Sequence, residues 1–147
     1  MRVEFDEEFG VPVEEAYEYF RTPMHWPRLF LAFGEVRDRG DGWYAVSFKR
    51  FPFPLVTRIT TDDPGQCVEW VFEGFWQGDA RVEFERSSSG VVIRGYEQVF
   101  PRGLSLLAPL ADRLFLEARF HEVWESGWRR LRRQASSGRE TSSSAGE

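Results

Sequence analysis

Glu117 and His121 stand one helical turn apart in LEARFHEVWESGWRRL, within a run of apolar residues. A carboxylate beside an imidazole in apolar surroundings has three uses. The two groups can satisfy each other in a closed buried network, or they can orient the polar end of a ligand. They can also move a proton, because an apolar pocket displaces their titration toward neutrality. All three stay open at this point. A zinc site is disfavoured, since His25 is the only other histidine, Cys67 is the only cysteine, and no spacing supplies a third ligand. We expect no metal and no cofactor.

Arg58 and Arg94 come next, because each sits in a strand-like segment. By parity Arg58 belongs with Val56 and Thr60, and Arg94 with Val92 and Tyr96. An inward arginine would bind a ligand carboxylate or enolate, or pair with Glu117. An outward one would pair across strands with Glu69, Glu73 or Glu83. The tips KRFPFPLV and GFWQGD carry Phe51, Phe53, Phe75 and Trp76 between prolines and glycines. These aromatics can form a cavity mouth, pack on neighbouring loops, or meet a partner or a membrane surface. The basic run WRRLRRQ suits the negative end of a helix, and Cys67 lacks a basic neighbour in sequence and is expected to be a packed thiol. No glycine-rich phosphate loop, Gly-x-Ser-x-Gly turn or HExxH helix is present, which disfavours nucleotide-driven and serine-hydrolase chemistry.

The elements that must position these residues are legible in the periodicity. Val3, Phe5 and Phe9 alternate with acidic residues as in a strand. After Gly10, Pro12 opens VEEAYEYF, a short amphipathic helix with Val13, Ala16, Tyr17 and Phe20 on one face. MHWPRLF adds one more turn carrying Trp26, Leu29 and Phe30. From Glu35 to Phe100, turn signals separate six strands whose apolar faces include Tyr44, Val46 and Phe48; Val68, Trp70 and Phe72; and Ala80, Val82 and Phe84. One wet face and one apolar face describe an antiparallel sheet covered on a single side. The cover is a helix from Leu107 to Gln134, roughly 40 Å long, with Leu110, Leu114, Glu117, His121, Trp124, Trp128 and Leu131 along its stripe. The polar segment 135–147 is expected to be a disordered tail.

The chain has 147 residues, 41% hydrophobic and 16% aromatic, with fourteen Phe and six Trp. That suits one domain, residues 1–134, with more bulky apolar surface than a small core requires. No run is long enough to span a bilayer, and the acidic start does not resemble a secretory signal. With a lone cysteine, a cytoplasmic location is the expectation. A net charge of −5 argues against nucleic acid as a partner.

The order strand, helix, short helix, six strands, long helix, with the phrase VPVEEAYEYFRTPMHWPRLF after the first strand, resembles the SRPBCC superfamily. That superfamily includes START lipid-binding domains and polyketide cyclase/dehydrase-like proteins. The resemblance implies an α+β helix-grip fold, a seven-stranded curved antiparallel sheet wrapped around the C-terminal helix with two short helices after the first strand. It also implies a cavity between sheet and helix that holds a hydrophobic small molecule, lipid-, polyketide- or quinone-like. It does not imply one chemistry. The ligand-binding set expected is Phe48, Trp70, Phe72, Phe84, Tyr96, Leu114, Glu117, Ala118, His121 and Trp124. Two alternatives remain: a cyclase, dehydratase or isomerase using Glu117 and His121 for proton transfer, and a module that binds a protein partner. A monomer or homodimer is expected, without a transmembrane segment, and peripheral membrane contact is left open.

Overall fold

The computed structural model describes residues 1–102 and the backbone of 110–144, with side chains over 1–102 and 116–138. Its elements run β1 (Arg2–Phe9), α1 (Val13–Phe20), a 3-10 turn (Pro23–His25), α2 (Trp26–Leu29), β2 (Phe33–Gly40), β3 (Trp43–Phe48), β4 (Leu55–Asp63), β5 (Cys67–Glu73), β6 (Trp76–Arg86), β7 (Val91–Pro101) and α3 (Leu110–Ser144). The fold is α+β: seven antiparallel strands in the order β1-β7-β6-β5-β4-β3-β2 form one curved sheet, and α3 covers it. Strands β2 to β7 are a meander, and the first strand closes the far edge by pairing with the last. Among the described residues, no helix is long and apolar enough to cross a membrane.

Strand alternation sorts the two faces. Val68, Trp70 and Phe72 on β5, and Ala80, Val82 and Phe84 on β6, are all buried on the concave side. Residues paired across strands share a face, so the register sets rows along that side. One row runs Val3, Glu97, Ala80, Trp70, Ile59, and the next runs Val99, Gly78, Phe72, Thr57, Tyr44. The convex face is wet. Arg81 bridges Glu69 (2.8 Å) and Glu83 (2.7 Å), and Arg94 bridges Asp6 (3.2 Å) and Glu85. Such exposed pairs contribute about 0–1 kcal/mol each.

Hydrophobic burial stabilises the fold more strongly, by about 1.5–3 kcal/mol for each large side chain removed from water. Phe20 of α1 is fully buried and lies parallel to both Trp70 (6.4 Å, 16°) and Trp124 (6.3 Å, 12°). It links the short helix, the sheet and α3 in one aromatic layer. Gly127 lets α3 approach α2, since a Cβ there would lie 2.5 Å from the Phe30 ring.

One boundary differs from expectation. The helix does not end at Gln134 but continues to Ser144, and Ala135 is buried. The stripe Trp124, Trp128, Leu131 simply continues to Ala135 at helical spacing, which the polar composition of the following residues obscured. The four arginines of WRRLRRQ therefore lie within the helix and not at its C-terminus. Arg132 reaches across to Glu7 of β1 (2.7 Å) and lies over the Phe9 ring. The expected start at Leu107, and residues 145–147, lie outside the described residues.

Candidate functional site

A half-open cavity of about 480 Å3 lies between the C-terminal helix and one end of the sheet, with residues of β2, β3, β4, β6 and β7 around it. That volume is within the range of small-molecule sites. Its walls are Phe33, Phe48, Phe51, Leu55, Trp76 and Val99 from the sheet side, with Leu116, Phe120 and Val123 from α3. Two of the tip aromatics, Phe51 and Trp76, stand in these walls, and Phe53 and Phe75 pack against them. Phe53 stacks on Phe75 (4.1 Å), Phe51 packs on Trp76 (5.3 Å), and the Trp76 indole N–H donates to the Phe53 carbonyl (3.2 Å). Lys49, Arg50, Arg119 and Glu122 also border the cavity, and all four are exposed.

One polar group lines the cavity from the buried side. Glu97 shares the β7 face with Val91, Ile93 and Val99, and is 9% exposed. The Trp124 indole N–H donates to its Oε1 at 3.1 Å. The Trp70 indole also bears on the carboxylate electrostatically, but its N–H does not reach hydrogen-bond geometry. No described cation pairs with Glu97. Burial therefore dominates, pushing the carboxyl up to about 7 from an ordinary value of 4.5, and the two indoles only partly oppose that. At neutral pH the group is divided between a proton donor and an acceptor. Such a carboxyl can bond a ligand hydroxyl or carbonyl, or exchange a proton with it.

The support behind Glu97 is specific. Phe5 stacks on Trp124 (4.6 Å, 28°), and Trp128 packs against both rings at 5.3 Å. Gly95, two residues before Glu97, lies where a Cβ would sit 1.9 Å from the Arg81 carbonyl oxygen and 3.1 Å from the Phe5 ring. A side chain there would strike the β6 backbone and press on Phe5, the ring that stacks on the Trp124 indole.

The expected site residues divide sharply. Phe48 lines the cavity. Trp70, Phe72, Phe84 and Trp124 are buried as expected, but in the packed core. The physical reason is α1 and α2: Phe20 lies against Trp70, Phe84 and Trp124, and Trp26 lies 5.1 Å from Trp70, so side chains fill the volume expected for a ligand. Tyr96 points to the convex face, where its hydroxyl donates to Asp79 (2.6 Å) and Arg2 lies over its ring. Glu117, Ala118 and His121 are exposed and do not line the cavity. The cavity instead meets Leu116, Phe120, Val123 and Ser126, a face turned by roughly a third of a turn from that of Trp128 at about 100° per residue. Leu114 lies outside the residues with described side chains.

Arg58 and Arg94 both face solvent, Arg58 over the Trp43 ring and Arg94 in its two carboxylate bridges. Cys67 is buried, and burial pushes its thiol up. Among the described residues no group of His, Cys, Asp and Glu could hold a metal ion. Glu97 is what the sequence reading missed, although a signal existed: it is the one charged residue in phase with Val91, Ile93 and Val99.

No family profile matches the chain, and no curated protein does. Solved structures do. A conserved protein from Geobacillus kaustophilus superposes with a TM-score of 0.71 at 9% identity, covering 93% of this chain and 96% of that one. A protein from Mesorhizobium loti gives 0.64 at 11% identity over 90% and 95% of the two chains. The Aha1 dimer from Colwellia psychrerythraea gives 0.63 at 11% identity over 90% and 93%. At such identities the likeness is one of fold: a sheet gripping a C-terminal helix.

Proposed function

We propose that this is a binding protein of SRPBCC type that holds a hydrophobic small molecule in the cavity beside α3, with a polar group of the ligand at Glu97. The observation that carries the proposal is a buried carboxyl, without a countercharge among the described residues, lining a cavity walled mainly by aromatic and aliphatic side chains. Burying such a group is costly, and a ligand able to bond it in either protonation state would recover part of that cost. The aromatic and aliphatic walls suit an apolar ligand, and the resemblance in element order supports the same class of ligand.

The test is binding of an environment-sensitive naphthalene dye, followed by its fluorescence, together with native mass spectrometry of protein purified from its own host. Micromolar dye binding is expected, and Ser126→Trp, which places an indole at the cavity wall, should weaken it at least tenfold. Unchanged affinity in a folded Ser126→Trp variant would place the dye elsewhere and end the cavity reading.

A second reading draws on the same carboxyl. A group titrating near 7 in an apolar site is suited to general acid–base work, so a proton-transfer enzyme of cyclase or isomerase type would use Glu97. The exposed Glu117 and His121 are poorly placed for that role. Loss of turnover in Glu97→Gln with retained ligand affinity would select this reading over simple binding.

A further inference from the structure

The charged groups around the cavity are segregated by depth. Lys49, Arg50 and Arg119 border it with exposed side chains, accompanied by a single carboxylate, Glu122. Glu122 lies 3.8 Å from Arg119, and neither Lys49 nor Arg50 has an ion-pair partner within 4.0 Å among the described residues. The chain as a whole carries a net charge of −5, so this cationic rim runs against the average of the surface. Among the described residues, Glu97 is the one charged group on the buried side.

We propose that the ligand is an amphiphilic anion, an acyl chain whose carboxylate stays at the rim against Lys49, Arg50 and Arg119 while a hydroxyl or carbonyl farther along the chain reaches Glu97. The inference rests on the cavity reading above and adds to it a polarity and a ligand class.

Physical chemistry favours this direction over its reverse. A carboxylate carried inward would lose its hydration and come to lie beside a second carboxyl, which disfavours charge on both. At the rim the same group keeps water and meets a net excess of positive charge, since Glu122 offsets one of the three cations, at a distance where screening is incomplete. A hydroxyl on the buried side can accept from the protonated form of Glu97 or donate to the ionised one, and a carbonyl can accept from the protonated form. The cavity's 480 Å3 falls within the range of small-molecule sites, which suits a medium-length acyl chain.

Displacement of the naphthalene dye at pH 7.5 and low salt, by dodecanoic acid, dodecanol, dodecylamine and ω-hydroxydodecanoic acid, tests the proposal. Dodecanoate should bind about tenfold more tightly than dodecanol, and added salt should narrow the gap. Charge reversal at two exposed positions, Lys49→Glu with Arg50→Glu, should abolish that gap and leave dodecanol unchanged. The ω-hydroxy acid should bind at least threefold more tightly than dodecanoate, and Glu97→Leu should remove this gain. Equal binding of acid and alcohol, insensitive to charge reversal, would overturn the rim assignment and leave the cavity intact. Tightest binding by dodecylamine would reverse the polarity and also overturn it. Equal binding of the two acids would overturn the role of Glu97. Failure of every probe to displace the dye would overturn both this proposal and the cavity reading.

Discussion

Glu97→Gln isolates the cost of burying this carboxyl. In the folded chain it titrates at about 7, against an ordinary value of 4.5. Between those two pH values the folded protein holds a proton that the unfolded chain has released. Stability must therefore fall as pH rises from 4.5 to 7 and level off above it. At roughly 1.4 kcal/mol for each pH unit, the displacement costs the wild type about 3 kcal/mol by pH 8. Glutamine keeps the shape and an oxygen for the Trp124 N–H but has no charge to bury. Its stability relative to wild type should accordingly improve by about 2–3 kcal/mol between pH 5 and pH 8, because about 1 kcal/mol of the cost is already present at pH 5. Urea denaturation at pH 5, 6, 7 and 8 on both proteins gives this difference directly. Constant packing effects of the new amide, and every titrating group the two proteins share, cancel when the two pH values are compared. Parallel stability profiles across this range would refute the shifted carboxyl, and with it the division of Glu97 between donor and acceptor.

Trp124→Phe keeps a ring against Phe5 and removes the N–H that reaches Glu97. It should cost about 1.5–3 kcal/mol at pH 8, the usual worth of a hydrogen bond to a charged group, and less at pH 5, read by the same denaturation. Gly127→Ala would place a Cβ 2.5 Å from the Phe30 ring, and overpacking by about 1–3 kcal/mol should outweigh the helix-propensity gain of up to about 1 kcal/mol. Gly138→Ala meets no atom within 4 Å and should stabilise by up to about 1 kcal/mol, so the two alanines differ in sign in one thermal-melt experiment. Burial and the bond to Asp62 push the Tyr17 phenol up to about 12. Among the four tyrosines, Tyr17→Phe should remove the last ionisation seen in an ultraviolet absorbance titration.

The period-two alternation in β3, β5 and β6, and the helical period at Val13, Ala16 and Phe20, were enough to assign those elements and their buried faces. Both periods are local: they follow from backbone geometry, and each residue's neighbours in sequence display them. Ala135 was also legible, since it continues the spacing of Trp124, Trp128 and Leu131. Glu97 was legible by parity with Val91, Ile93 and Val99, and was passed over because Tyr96 was assigned to the cavity face. The exposure of Glu117 and His121 could not be read the same way. Helical spacing sets a residue's angle about its own axis, and by that angle both belong with Trp124 and Trp128. What stands opposite each turn of α3 depends on where the helix crosses the sheet and on which loops rise beside it. The cavity's place is decided at the same level. Phe20 and Trp26 come from segments far from Trp70 and Phe84 in sequence, and only their packing onto the sheet fills one half of the grip and leaves the other open beside Glu97.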